Sequence, residues 1–234
     1  ESMREELEGR QYVEEYVHHL THELKSPLAA IRGAAELLDE DMSEAQRARF
    51  LANIRSQSMR LQDIIERMLD LATVEHRQRL EDAQRLPVAS LLAQAAEAAA
   101  PRLAARRLQV VVDAEDGGLC VHGERFLLLR ALANLLDNAI DFAPADSPLT
   151  LSVEPQGPQV CLSVRDHGPG IPDFARERLF ERFYSLPRPD GAPKSTGLGL
   201  AFVAQVASLH GGRVTVDNHP EGGTVARLWL PVAD

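Results

Sequence analysis

The sequence predicts an α+β chain: an N-terminal helical hairpin that joins a second copy as a dimeric four-helix bundle, followed by a two-layer α/β sandwich. Three observations predict it. Through the first third of the chain, apolar residues recur at three- and four-residue steps, the spacing of a bundle seam rather than of one wetted helix face. A polar stretch closing on Pro87 then interrupts the pattern. Beyond it, helical and strand-like segments alternate, which requires a sheet covered by helices.

The first arm carries Met3, Leu7, Val17, Leu20, Leu24, Ile31 and Leu38, and the second Phe50, Ile54, Leu61, Ile64, Met68 and Leu71. Between them Asp39-Glu40-Asp41-Met42-Ser43 breaks the period, and Ser43 followed by Gln46 forms a capping box for the second helix. Two helices cannot enclose both stripes, so a parallel homodimer is expected. Residues 1–77 read as the dimerisation hairpin, 78–87 as a linker and 88–234 as the sandwich. In the sandwich, helices are predicted at 89–105, 124–142 and near 198–210. Strands are predicted at 108–113, 119–122, 149–154, 159–166, 213–218 and 224–230, with Glu221-Gly222-Gly223 turning between the last two.

Composition narrows the function. The 234 residues are 44% hydrophobic and 26% charged, ordinary for a globular protein, and the net charge is -10. Nucleic acid is not an expected partner, because phosphate backbones are held by clustered Lys and Arg. No apolar run approaches the ~20 residues of a membrane span, and there is no signal peptide. This stretch is therefore expected to make no direct membrane contact. It opens inside a helical pattern, so it reads as a piece whose sensor segment lies upstream. Cys120 and Cys161 sit in apolar, strand-like runs and read as buried free thiols.

One histidine stands out on the hairpin. In Leu20-Thr21-His22-Glu23-Leu24-Lys25-Ser26-Pro27-Leu28, His22 lies two residues from each of two seam leucines, about 200° around the helix, and should face water. A neutral imidazole is a competent nucleophile, its ordinary pKa being about 6.5. Glu23 can take a ring proton, and Pro27 removes a helical hydrogen bond just past the site. Taken alone, the segment is equally that of a surface histidine. A metal pair of His18 and His22 lacks a third ligand.

Four segments of the second half converge on nucleotide chemistry. Asn134 and Asn138 share one helix face and offer hard, neutral oxygens suited to Mg2+. Asp166-His167-Gly168-Pro169-Gly170 follows a strand, where a carboxylate can accept the amino group of adenine and glycines allow a tight turn. Thr196-Gly197-Leu198-Gly199 opens an apolar helix, whose free N–H groups suit phosphate. Gly222-Gly223-Thr224 precedes the last strand. Each alone is also a common structural turn or helix face.

In this order the segments resemble the H, N, G1, G2 and G3 boxes of the sensor histidine kinases of two-component systems, and Phe180-Glu181-Arg182-Phe183-Tyr184 is similar to their F-box. The wording of 24–36, 139–142 and 183–188 resembles a carbon-source-responsive branch of that family. The resemblance implies an ATP-binding sandwich of the kind shared with gyrase, Hsp90 and MutL. It implies that His22 is phosphorylated, with Glu23 as general base and with the place of Ser26 serving the reverse, phosphatase reaction. The family usually has Thr or Asn there. Asn138 and Asn134 would hold Mg2+ and Asp166 would read adenine, beside Gly168, Gly170, Ile171 and Phe142. Thr196, Gly197, Leu198, Gly199 and Thr224 would line the phosphates within reach of Lys194, and Arg182 would approach the γ-phosphate. Residues 185–196 would form the ATP lid. Asp141 and Phe142 stand where the family often has a basic residue and Tyr, so Asp141 should point away from phosphate or act through a cation. The implied partner is the receiver domain of a response regulator, docking near Leu28, Ile31, Arg32 and Ala35, and the implied setting is the cytoplasmic portion of an inner-membrane sensor. An ATP-driven clamp and an inactive dimeric scaffold remain as other readings.

Overall fold

The structure is a computed structural model that describes residues 2–38, 41–114, 118–191 and 194–233, with side chains from residue 20 onward and that of His18. It divides into two compact units, residues 1–69 and 70–234.

The first unit is the hairpin. Helix α1 spans Ser2–Leu37 and α2 spans Glu44–Glu75. Pro27 lies inside α1 without ending it. The capping box is formed: Gln46 N–H donates to Ser43 Oγ at 3.3 Å, and Ser43 N–H donates to Gln46 Oε1 at 3.0 Å. Two donors that a helix start would otherwise leave unpaired are thereby satisfied. Of the seam residues, Met3, Leu7 and Val17 lie outside the described side chains. Leu20, Leu24, Ile31, Phe50, Ile54 and Leu61 are half-buried and Ile64 is fully buried.

The second unit is the sandwich. Strands β2 (Gln109–Asp113), β4 (Pro148–Gln156), β5 (Gln159–Arg165), β7 (Thr224–Pro231) and β6 (Arg213–Asn218) form one sheet in the order β2-β4-β5-β7-β6. Only the β2–β4 pairing is parallel. Helices α3 (Val88–Ala105), α4 (Arg125–Phe142) and α5 (Gly199–Leu209) lie side by side along it. The register explains the core. Leu151 faces Val164, which faces Ala226, while Val153 faces Leu162, which faces Leu228. Because strand side chains alternate, these residues share one buried face. On the other face the Arg213 guanidinium covers the Trp229 ring at 4.4 Å.

The segment 78–87 is not all connector. Gln84–Pro87 form strand β1, paired antiparallel with β3 (Cys120–Gly123). Its sequence looked like a linker because only Leu86 of the four residues turns inward. The compact division falls inside α2, at 69/70. Glu124 anchors this region: it accepts from Arg77 Nη1 at 3.0 Å and from Glu81 N–H at 2.6 Å. Burial pushes its carboxyl up, but the Arg77 guanidinium and the amides of Glu81 and Asp82 outweigh it and hold it below the ordinary carboxylate value. Cys120 and Cys161 are buried free thiols, and burial pushes Cys161 up to about 11, the state of an inert core thiol.

Candidate active site

Between α4, α5 and the ends of β5, β6 and β7 lies a solvent-open cavity, a concave place of the kind in which small ligands are held. Asn138, Phe142, Asp166, Gly170, Ile171, Gly197, Gly199 and Thr224 all line it. Residues up to ninety apart in the chain are thus brought together around one hollow, whose walls are mostly apolar side chains.

Asp166 ends β5 and is buried. Its Oδ1 accepts from Gly168 N–H at 2.7 Å and from Thr224 N–H at 3.3 Å. Oδ2 has no protein donor among the described residues and is left to accept a ligand amino group. Burial raises the Asp166 carboxyl above its ordinary value, against the two amides and His167, which lower it. Glycine is required beside it. Gly223 has φ +83°, and a Cβ there would stand 2.0 Å from the Asp166 carbonyl oxygen. A Cβ on Gly168 would stand 2.6 Å from the Phe142 carbonyl oxygen. Gly168 therefore shapes the turn and does not line the cavity.

The Gly170–Ile171 segment is held by a residue that the sequence did not signal. Asn218, at the end of β6, accepts from Ile171 N–H at 2.6 Å and donates to the Ile171 carbonyl at 2.9 Å. A Cβ on Gly170, which has φ +79°, would press on Asn218 Oδ1 at 2.9 Å. Asn218 and Ile171 lie too far apart in sequence for any local pattern to show the pair. Ser185 and Ser195, joined hydroxyl to hydroxyl at 2.8 Å, also line the cavity unforeseen.

At the other end, α5 begins without a side-chain cap, so its first N–H groups are free for an anion. Gly197 has φ +67° and packs on the backbone of Phe183 and Tyr184, where a Cβ would meet Tyr184 N at 2.6 Å. Phe183, itself at φ +62°, donates its N–H to the Gly197 carbonyl at 3.0 Å. Leu198 is buried and serves packing. Thr196 and the exposed Lys194 lie near but do not line the cavity. Asn134 also stands outside it. It is buried, donates to the Arg130 carbonyl at 2.9 Å, and abuts Gly199, whose Cβ would stand 2.9 Å from Asn134 Oδ1. Arg182 does not line the cavity and is ion-paired with Glu75. Burial lowers the Arg182 guanidinium and raises the Glu75 carboxyl. Asp141 meets the expectation of a carboxylate turned to cations: it pairs with Arg102 at 3.1 Å and with Arg188. Of residues 185–196, the lid segment, 192 and 193 lie outside the described residues.

On the hairpin, His22 is exposed on α1, with no protein hydrogen bond among the described residues. Glu23 is half-buried and faces Arg60 of α2 at 3.8 Å. Ser26 is exposed and Pro27 buried. No group of three or more His, Cys, Asp or Glu able to hold a metal occurs among the described residues. Asn138 lines the cavity, and its neutral amide oxygen would fit a magnesium ion, which takes its other ligands from water and phosphate.

Both halves of the chain have counterparts among known proteins. Residues 12–77 match the His Kinase A (phospho-acceptor) domain, and residues 123–234 match the histidine kinase-, DNA gyrase B-, and HSP90-like ATPase family. The chain belongs to the sensor histidine kinases. It is 50% identical over 230 residues to the sensor protein CreC of Escherichia coli (strain K12), covering 98% of this chain and 48% of that protein. That is the branch to which the wording of residues 24–36, 139–142 and 183–188 pointed. Full-length ShkA in complex with AMPPNP is 26% identical, with TM-score 0.68 over 94% of this chain and 46% of that one. Histidine kinase ThkA in complex with the response regulator protein TrrA shares the fold at 21% identity, with TM-score 0.79 over 98% of this chain and 65% of that one. The chain spans about half the length of the curated relatives it matches. No helix among the described residues is long and apolar enough to cross a membrane.

Proposed function

We propose that this chain is the catalytic core of a sensor histidine kinase that transfers the γ-phosphoryl group of ATP to His22. The observation that carries the proposal is Asp166: a buried carboxylate at a solvent-open cavity, whose Oδ1 is spent on two backbone amides and whose Oδ2 has no protein donor among the described residues. An acceptor-only oxygen suits the exocyclic amino group of adenine and has nothing to offer the carbonyl that guanine presents there. Ile171 and Phe142 flank the base, and the start of α5 with Gly197 and Gly199 receives the phosphates. Asn138, with Asn134 behind it, would hold Mg2+, which would supply positive charge to offset that of the phosphates.

In the transfer, a ring nitrogen of His22 forms a bond to the γ-phosphorus while the bond from that phosphorus to the β–γ bridging oxygen breaks. ADP leaves with the electron pair, and the proton of the imidazole passes to Glu23. Arg182, once exchanged from Glu75, is suited to stabilise the charge on the phosphoryl oxygens. Ser26, one turn beyond His22, offers a hydroxyl to a water in the reverse reaction. The product phosphoramidate is passed to an aspartate of a response-regulator receiver domain, for which the exposed Leu28, Arg32 and Ala35 offer a surface on α1. ThkA, a protein of the same fold, is known bound to such a regulator. The exposed Leu37, Leu51, Met59 and Ile65 of the hairpin suit a homodimeric bundle. Kinship with CreC supports the cytoplasmic part of an inner-membrane sensor as the setting.

Incubation with Mg2+ and γ-labelled ATP tests the reaction. Acid-labile, base-stable label that disappears in His22→Gln is expected. Undiminished label in that variant removes His22 from the chemistry, and ATP turnover without any label favours a clamp.

A further inference from the structure

Resting on the nucleotide reading above, we propose that Asp141 is a positioning residue that holds the loop arginine Arg188 at the phosphate end of the cavity, so that Arg188 is the triphosphate-binding cation. Asp141 poses a problem for an ATP site. It lies on α4 one turn beyond Asn138, on the same side of the helix, and directly before Phe142, which lines the cavity. A bare carboxylate here would repel a triphosphate. It is not bare: Oδ1 accepts from Arg102 at 3.1 Å and Oδ2 accepts from Arg188. Arg102 also pairs with Asp137, so Arg102 is shared between two carboxylates while Arg188 has Asp141 alone among the described residues.

The loop carrying Arg188 is built to hold it. Pro187 and Pro189 flank it and fix their own backbone angles. Gly191 N–H closes a turn onto the Arg188 carbonyl at 3.1 Å. Asp190 pairs with Arg106 at the end of α3. The loop thus lends a cation to α4 and an anion to α3, and the two ion pairs fix its height. Leu186, just before it, lines the nucleotide cavity, and Pro189, just after it, lines a second hollow on the far side of Phe142. Arg188 lies between these two in the chain and, held on Asp141, lines neither hollow itself. Its Nε is buried with no hydrogen-bond partner among the described residues, so Asp141 does not use up its donors. A guanidinium has five N–H groups in a planar fork. Asp141 occupies one edge, and the unused donors suit phosphate oxygens. A carboxylate in that position therefore supports phosphate binding at one remove.

The test is calorimetric titration of the 234-residue chain with Mg-ATP and, separately, with adenosine. The variants are Arg188→Gln, Asp141→Asn, the two combined, Asp141→Lys, and Asp141→Lys with Arg188→Gln. Arg188→Gln and Asp141→Asn should each weaken ATP about tenfold, leave adenosine within about twofold, and be no worse together than Arg188→Gln alone. Asp141→Lys should bind ATP as well as the unaltered chain does and make Arg188→Gln nearly silent, because the cation then sits on α4 itself. Equal losses for ATP and adenosine would mean a merely structural pair and would overturn the proposal, as would additive losses or an inert Arg188→Gln. An unaltered chain that binds neither ligand would remove the nucleotide reading and this one with it. An unaltered chain that binds both, with ATP indifferent to Arg188, would remove only this one.

Discussion

The two ends of the nucleotide cavity are built by different physics. At the adenine end the ligand-facing group is fixed by backbone: two amides clamp Asp166 Oδ1, Gly223 and Gly168 let the chain approach to contact, and Asn218 locks the Gly170–Ile171 peptide. At the phosphate end the candidate cations are long side chains already paired with protein carboxylates, Arg182 with Glu75 and Arg188 with Asp141. The first end is preorganised and loses little on binding. The second must exchange or share partners, so it is where binding can be coupled to movement. Recognition and transfer thus have separate supports.

The contrast can be broken most severely at Gly223. Gly223→Ala puts a Cβ into the Asp166 carbonyl at a φ that alanine avoids, and should cost about 3 kcal/mol of stability, read by chemical denaturation. Loss below about 0.5 kcal/mol would mean that the turn relaxes freely and that the adenine end is not rigid. Next in size is Asp166→Asn. With Oδ1 kept by its two amides, the new NH2 replaces Oδ2 and meets the adenine amino group donor to donor. Adenosine and ATP should both bind about 10- to 100-fold more weakly, measured by calorimetry. Asn218→Ala removes two hydrogen bonds from Ile171 and should weaken adenosine about threefold to tenfold, with about 1–2 kcal/mol of stability.

The smallest effect is a pH dependence confined to one end. The ionised Asp166 is the acceptor, and burial holds its pKa above the usual value for Asp. Adenosine affinity should therefore be constant near neutrality and fall as pH drops through that raised value, before an exposed aspartate would titrate. Affinity that rises on acidification would give the carboxylate the wrong sign.

What the sequence made legible follows the same division. His22 could be placed in water because its two neighbours at ±2 belong to the seam, a relation carried by local period alone. Asp166 and its glycines were legible because strand, carboxylate and turn are consecutive. Gly197 and Gly199 were legible as a glycine-rich helix start, but not the backbone of Phe183 and Tyr184 and the side chain of Asn134 on which their Cα atoms pack. Asn218 was not legible, since its partner Ile171 comes from another strand end. Nor were the partners of Asp141, on α3 and the 185–191 loop. The segment 78–87 misled because an edge strand with one inward residue has the composition of a linker. Contacts between residues distant in sequence leave no period to read.

The central claim is that the cavity around Asp166 serves the imidazole of His22. Mixing the chain with Mg-ATP and locating the added phosphoryl group by tandem mass spectrometry at alkaline pH tests it directly. One phosphoryl group on His22 is expected in the unaltered chain and little or none in Asp166→Asn at the same ATP concentration. Phosphate on any other residue, or on His22 to the same extent and at the same rate in Asp166→Asn, would contradict it.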